Sequence, residues 1–578
     1  MSMISILNSS IKTIAQRTHV VSSFARAAST CNTISTNDLK GDTFKTDVLV
    51  VGCGIAGCST ALAAAQGGCH VTMLSLAENI QECNSYWAQG GIVYRGKKDS
   101  IDLLANDILV AGANENKKDA VLYLSKNGPK AIDEVLLTKP VNVEFDHDDH
   151  EELDMTREGA HSTRRIIHYK DETGKAIIRG LSASVQAHPN IHIITTSQVI
   201  DLLTSMKKQD NGENICAGAL IYNKKYDEYM TVYAKQVVLA TGGLGELYPF
   251  TSNPPAAKGE GVALAKRIGA KTGDMEYVQF HPTALYVEHN RNFLLTESLR
   301  GEGAVLLNTK NEEFAKKYHP LGNLAPRDIV SRMIYREMLK NNSKHCYLDI
   351  SFKPHDWITS RFPQVYTTCL SLGHDLTKGP IPCVPAAHFS CGGVLVDNHG
   401  QTNIQNLLCI GEVSCTGVHG ANRLASTSLL EGLTWGHFCG MELSQSISSK
   451  SFISDINGLD GNVYENINKR TEAVSPAVIK GYWDRIHSVM WDNVGIIRTP
   501  KKLNESICIL NGIKEDITKT ISTSKPDSEL YSLRNSIDTA LCVATDAVNQ
   551  PVSHGCHYIL ADNKNIITEP EQVIEAKL

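Results

Sequence analysis

Guanidinium, imidazole and carboxylate side chains recur along this chain where glycine and proline interrupt the apolar pattern. The densest group is Thr156-Arg-Glu158-Gly-Ala-His161, followed by Arg164, Arg165 and His168. So many ionisable groups around one glycine make a candidate anion site, because arginine and histidine meet planar anions through charge-assisted hydrogen bonds. Further polar residues stand singly in His281-Pro-Thr, Thr296-Glu-Ser-Leu-Arg-Gly-Glu-Gly303, Pro326-Arg327-Asp328 and Pro385-Ala-Ala-His388. That is the composition of a lid lending side chains to a crevice. Taken one at a time they have plainer readings, a turn at His281-Pro282 or a surface ion pair at Arg327-Asp328. A second chemistry is pyrophosphate binding. Gly52, Gly54 and Gly57 repeat as Gly-x-Gly-x-x-Gly, the spacing of a turn whose free N–H groups cradle phosphate.

The elements that must position these groups follow from the flanking pattern. Val48 to Val51 read as a buried parallel strand before the glycine turn, and Cys58 to Gln66 as the helix after it. The second strand, His70 to Leu74, ends in Ser75 and Leu76 where the dinucleotide fingerprint expects an acid for a ribose hydroxyl. The motif alone therefore does not choose FAD over NAD. Asn84-Ser-Tyr-Trp-Ala-Gln-Gly-Gly91 falls where a flat ring would lie, although on pattern alone an ordinary turn is the stronger reading. Gln236 to Gly243 and Ile404 to Glu412 repeat the strand-then-glycine pattern, so three strands end at one crevice, as in a doubly wound α/β sheet with a dinucleotide across it. Ser428 and Leu429 open a helix running to Ile447, whose N–H groups and dipole favour a negative, reduced ring.

A formal net charge of -6 and a pI near 6.4 give no sign of nucleic-acid binding. No apolar run reaches the length of a membrane span, and the chain reads as soluble and globular. The 16 cysteines include no C-x-x-C pair and suggest buried thiols rather than a metal or iron–sulfur centre. His147 and His150 in the Asp146 to Asp154 run read as a solvated acidic loop. Residues 1 to 36 lack acids, carry Lys12, Arg17 and Arg26, and place Ile4, Leu7, Ile11 and Ile14 on one helical face, the composition of an organellar transit peptide. From residue 460 the pattern becomes helical, with starts at Ser475-Pro476 and Thr499-Pro500.

From about Thr46 to Tyr558 these motifs resemble the flavoprotein family of succinate dehydrogenase, fumarate reductase and L-aspartate oxidase. The resemblance implies a Rossmann-like FAD domain (residues 45–272 and 390–459), an inserted α+β capping domain (273–389) and a C-terminal helical domain (460–578) after the transit peptide. Carried over by motif, His281 in QFHPTAL, Thr296 in LLTE, His388 in PAAHFSCGG and Arg423 in HGANR are similar to the family's dicarboxylate clamp, and Arg327 in LAPRD to its proton donor and acceptor. The implied FAD contacts are Cys53, Ile55 and Ala56 beside the three glycines, then Ser75, Leu76, Asn84, Ser85, Tyr86, Trp87, Ala88, Gln89, Gly90, Gly91, Glu260, Glu412, Ser428 and Leu429. Asn84 stands where succinate dehydrogenase links its FAD to a histidine, so the resemblance implies a non-covalent flavin. Glu158 resembles the aspartate oxidase form of its loop, where a carboxylate attracts an ammonium and repels a further carboxylate. The branch implied is oxidation of L-aspartate to iminoaspartate with O2 or fumarate as acceptor, feeding quinolinate synthase and NAD synthesis, without an iron–sulfur subunit. The rival readings are a soluble fumarate reductase or succinate dehydrogenase flavoprotein and an inert flavin-binding protein. The expected location is the mitochondrion, with plastid or cytoplasm as alternatives. Leu76, where relatives often carry lysine, and Ser553-His-Gly-Cys-His557, where they commonly have Ser-Arg-Gly-x-His, depart from the family pattern.

Overall fold

The computed structural model describes residues 43–288, 293–457 and 472–568; the transit-peptide reading at residues 1–36 lies outside them. The first strand, Thr43–Val51, pairs in parallel with Val71–Leu74 on one side and with Glu228–Leu239 on the other. Ile191–Ile194 extends the sheet beyond Val71–Leu74, and Leu407–Cys409 pairs in parallel with the end of Glu228–Leu239. Antiparallel strands Ser197–Ser205 and Cys216–Asn223 complete the far side. Strands rich in Val, Leu and Ile with both faces covered are what a parallel sheet requires. The doubly wound order expected from the three strand-then-glycine segments is therefore present.

Two helices set the crevice at the carboxyl ends of these strands. Ile55–Gln66 follows the glycine turn, and Ser428–Ser446 packs directly on it. The close approach is written as a glycine stripe: a Cβ at Gly436 would lie 2.7 Å from the Ala56 carbonyl oxygen, and one at Gly440 would lie 2.6 Å from that of Thr60. Backbone-to-backbone contact at this spacing brings both helix N-termini to the same opening.

The inserted segment builds its own antiparallel sheet, ordered Val278–Leu285, Ile381–Ser390, Cys346–Asp349, Val305–Leu307, over a separate apolar core. His281 lies within the first of these strands rather than in a turn. Pro282 cannot donate to the ladder, and the register shifts between His281 and Ala284. Helices Pro476–Asp492, Pro500–Thr523 and Ser528–Asn549 pack together and against the main sheet. Thr499 caps its helix by accepting from Lys502 N, whereas Ser475 makes no side-chain cap bond. No helix among the described residues is long and apolar enough to cross a membrane, and no group of three metal-ligating side chains occurs among them.

Candidate functional site

A single crevice of about 450 Å³ runs from the glycine turn to the inserted sheet. Gly52, Cys53, Gly54, Ile55 and Ala56 line one end, with Ser75 and Leu76 beside them. Gly52 has φ 114°, and a Cβ there would run into the Ala240 carbonyl of the neighbouring strand, so only glycine fits. The Asn84–Trp87 turn is joined to this end by Ser85, whose Oγ accepts from Ile55 N at 3.2 Å. Asn84, Ser85, Trp87, Ala88, Gln89, Gly90 and Gly91 form the next stretch of wall, and Glu412, Ser428 and Leu429 line the same crevice.

The chemistry of this wall fits FAD. Gln89 Oε1, Thr241 Oγ1 and Arg423 Nε are buried without a hydrogen-bond partner among the described residues, a set of polar atoms that a polar, ring-bearing ligand satisfies. Two helix N-termini face the same space. Glu412 accepts from Ser390 N at 3.0 Å and from Asn84 Nδ2 at 3.3 Å, and burial pushes its carboxyl up to about 7.

At the other end the capping segment brings together groups far apart in sequence. Gln279 Oε1 accepts from Arg327 Nη1 and from Arg423 Nη2, each at 3.2 Å. Arg423 also donates to Ser428 Oγ at 3.1 Å and lies 4.6 Å from the centre of the Phe389 ring. Burial and the nearby Arg327 pull Arg423 down to about 10, still cationic at neutral pH. His281 and His388 stand with ring centres 5.3 Å apart. Burial holds both well below the usual histidine range, helped by the surrounding arginines, so both are neutral hydrogen-bonding rings. His281 Nδ1 lies 3.0 Å from the Thr283 carbonyl oxygen and 3.2 Å from Thr283 N, so the backbone of Thr283 fixes the ring and Nε2 is left for the crevice. Thr296 also faces the crevice and caps the short helix Glu297–Gly301.

Glu297 was legible only as part of the TESLRGEG run, yet it is the partner of Arg327. Its Oε2 accepts from Arg327 Nε at 2.6 Å, and Oε1 lies 4.0 Å from Arg300 Nη2. Burial alone would raise this carboxyl, but Arg327 and Arg300 hold it down at about 2. Glu158 enters the same space from the opposite wall. Ser426 Oγ donates to its Oε2 at 2.6 Å, and Oε1 packs against Gly90. Burial raises the Glu158 carboxyl, while Arg327 and the Ser426 hydroxyl oppose the rise.

Not every motif residue reaches the opening. Gly57 and Tyr86 lie behind the wall, Gly57 against the Gly52 carbonyl and Tyr86 against the apolar core. Glu260 borders the crevice, but its carboxylate is taken up by Gln198 at 2.8 Å, Ser532 at 2.8 Å and Asn535 at 3.3 Å, a junction with the C-terminal helices.

Two family models match the chain, an FAD binding domain over residues 47–429 and a fumarate reductase flavoprotein C-terminal domain over residues 483–561. An L-aspartate oxidase of Yersinia pestis is 40% identical over 531 residues, covering 91% of this chain and 98% of its own length. The chain belongs to the L-aspartate oxidase family of FAD-binding flavoproteins. A chloroplastic L-aspartate oxidase of Nicotiana tabacum is 36% identical, covering 91% of this chain and 83% of its own. Among solved structures, quinol fumarate reductase of E. coli matches with TM-score 0.79 and 26% identity, over 92% of this chain and 94% of that one.

Within this family the two departures have different settings. Leu76 lines the crevice without a charge to offer. His554 sits at a domain junction, Nδ1 3.3 Å from Glu115 Oε1, while His557 is buried 2.6 Å from Arg498 Nη1. Asn84 is engaged through its amide with Glu412 and Asn253, and an amide offers no nucleophile for a flavin linkage. FAD is accordingly expected to leave the protein on acid precipitation and colour the supernatant yellow; flavin retained in the washed pellet contradicts this.

Proposed function

We propose that this chain oxidises L-aspartate to iminoaspartate with non-covalent FAD, and that O2 or fumarate is the acceptor. The observation that carries the reading is Glu158, a half-buried carboxylate that lines the crevice beside Arg327, Arg423, His281 and His388 and that, unlike Glu297, has no arginine bonded to it among the described residues. A dicarboxylate without an amine gains nothing from it, whereas an ammonium does.

In this reading the glycine turn, Asn84 to Gly91, Glu412, Ser428 and Leu429 hold FAD, which when bound takes up the two electrons released as the carbon–nitrogen bond of the substrate becomes double. Arg423 meets one carboxylate bidentately, while His281, His388 and the Thr296 hydroxyl complete the shell for the pair. Glu158 Oε1 takes the ammonium and fixes which substrate face is presented. Arg327 carries the proton as one half of a pair. Its Nη2 has no partner among the described residues, and Glu297 Oε2, 2.6 Å from Nε, fixes the direction in which the guanidinium points. Fumarate carries both carboxylates and fits the same clamp.

The test is anaerobic mixing of the FAD-loaded protein with L-aspartate, expected to bleach the flavin absorbance. Bleaching by succinate but not by L-aspartate overturns the reading in favour of a dicarboxylate dehydrogenase, and none with either points to an inert flavoprotein. We further propose that iminoaspartate passes to quinolinate synthase for NAD synthesis, and that residues 1 to about 36 direct import into the mitochondrion. The chloroplastic tobacco relative supports the plastid as the alternative organelle. Protein purified from its own cells should begin near residue 37; an N-terminus still at Met1 contradicts import with cleavage.

A further inference from the structure

The loop that carries Glu158 joins the paired strands Met155–Thr156 and Ile166–Ile167, and at its tip His161 N donates to the Glu158 carbonyl at 3.3 Å. Its limbs are joined by Arg165 N donating to the Thr156 carbonyl at 3.2 Å, and the turn at Ala160 is left-handed, with φ 64°. A charged group buried behind the loop adds a side-chain restraint to these backbone bonds. The Arg165 side chain is 0% exposed; its Nη1 donates to Asp107 Oδ2 at 2.6 Å and its Nη2 to Asp99 Oδ1 at 2.9 Å. Asp99 precedes the Ser100 cap of helix Ile101–Ala111, and Asp107 stands on that helix. The same Asp107 oxygen also accepts from Ser162 N at 2.8 Å and Ser162 Oγ at 2.9 Å. At the tip, His161 Nε2 lies 3.0 Å from the Ala425 carbonyl, next to the Ser426 that binds Glu158. Burial drives His161 down to about 4, so the ring is neutral and donates from Nε2.

We infer that Arg165, held between Asp107 and Asp99, is a positioning residue for substrate choice, fixing the loop so that the Glu158 carboxylate stands where an ammonium meets it. The inference rests on the function proposed above. A guanidinium is a planar fork that meets two carboxylates in fixed directions, which a lysine cannot do. A buried pair of this kind is rigid because separating it leaves an uncompensated charge. Among the described residues Arg165 bonds to Asp99, Asp107, Ser162, Tyr94 and Thr156 and to none of His281, His388 or Arg423. Its influence on the site therefore passes through the Glu158 loop.

The test uses the FAD-loaded enzyme with Asp107→Asn and with Arg165→Lys, each alone and combined with Glu158→Gln. For each single variant, kcat/KM for L-aspartate oxidation is expected to fall about tenfold, chiefly through KM, as a charge-assisted contact loosens. Fumarate reduction by the chemically reduced enzyme should stay within about twofold, and amide exchange over residues 156–165 should quicken. In the Glu158→Gln background the same changes should cost L-aspartate oxidation nothing further, since coupled residues are not additive. Parallel loss of both reactions, an unchanged L-aspartate kcat/KM, or losses that multiply with Glu158→Gln overturns the inference. Where neither variant retains FAD, Ser162→Ala removes one donor to Asp107 without unbalancing charge and is read by the same ratio, an unchanged ratio counting against it. Wild-type enzyme that oxidises no L-aspartate fails the function proposed above instead.

Discussion

Arg327→Leu is expected to keep FAD bound and to lose nearly all turnover. Arg327 belongs to the capping segment, and its hydrogen bonds go to Glu297 and Gln279, so the phosphate turn and the Asn84–Gly91 wall are untouched. A group that donates or accepts a proton in the transition state contributes roughly 10² to 10⁴-fold, and the loss should appear in kcat more than in KM. The leucine also leaves Glu297, a carboxyl held at about 2 by Arg327 and Arg300, without its nearest counter-charge. Stripping one partner from a buried ion pair costs several kcal/mol. A lowered melting temperature is therefore expected, partly restored by Glu297→Gln in the same chain. The measurement is turnover per bound flavin, so lost folding is not mistaken for lost chemistry. Activity within a few-fold of wild type removes Arg327 from the mechanism.

The second large effect is selective. Glu158→Gln keeps the size of the side chain and an oxygen to accept from Ser426 but removes the charge that an ammonium meets. A charge-assisted hydrogen bond is typically worth about 1.5 to 3 kcal/mol, so kcat/KM for L-aspartate should drop roughly ten to a hundred-fold or more. Fumarate has no amine, and the glutamine takes a negative charge away from an anionic substrate. Fumarate reduction by chemically reduced enzyme should hold or improve. A parallel fall in both activities would make Glu158 a general structural or electrostatic residue.

The sequence by itself determined whatever depends on local backbone demands and periodicity. Gly52 is required by a left-handed φ beside the Ala240 carbonyl; Pro500 after the capping Thr499 starts a helix where expected; Ser428 opens the helix whose N-terminus faces the crevice. Family motifs pointed to His281, Thr296, His388 and Arg423 as the proposed clamp, because each sits in a short run recognisable without its neighbours, and the fold brings all four to one crevice. Only the tertiary structure decided partnerships. Glu297 lies 30 residues from Arg327, Gln279 lies 144 from Arg423, and Asp107 lies 58 from Arg165, separations at which no spacing rule operates. It also decided protonation, since the neutrality of His281 and His388 comes from burial and surrounding arginines that only folding assembles. The same holds for Glu260, which sequence resemblance gives to the cofactor and whose carboxylate the fold engages with Gln198, Ser532 and Asn535. A side chain's type is local, but its charge state and its partner belong to the surfaces that close over it.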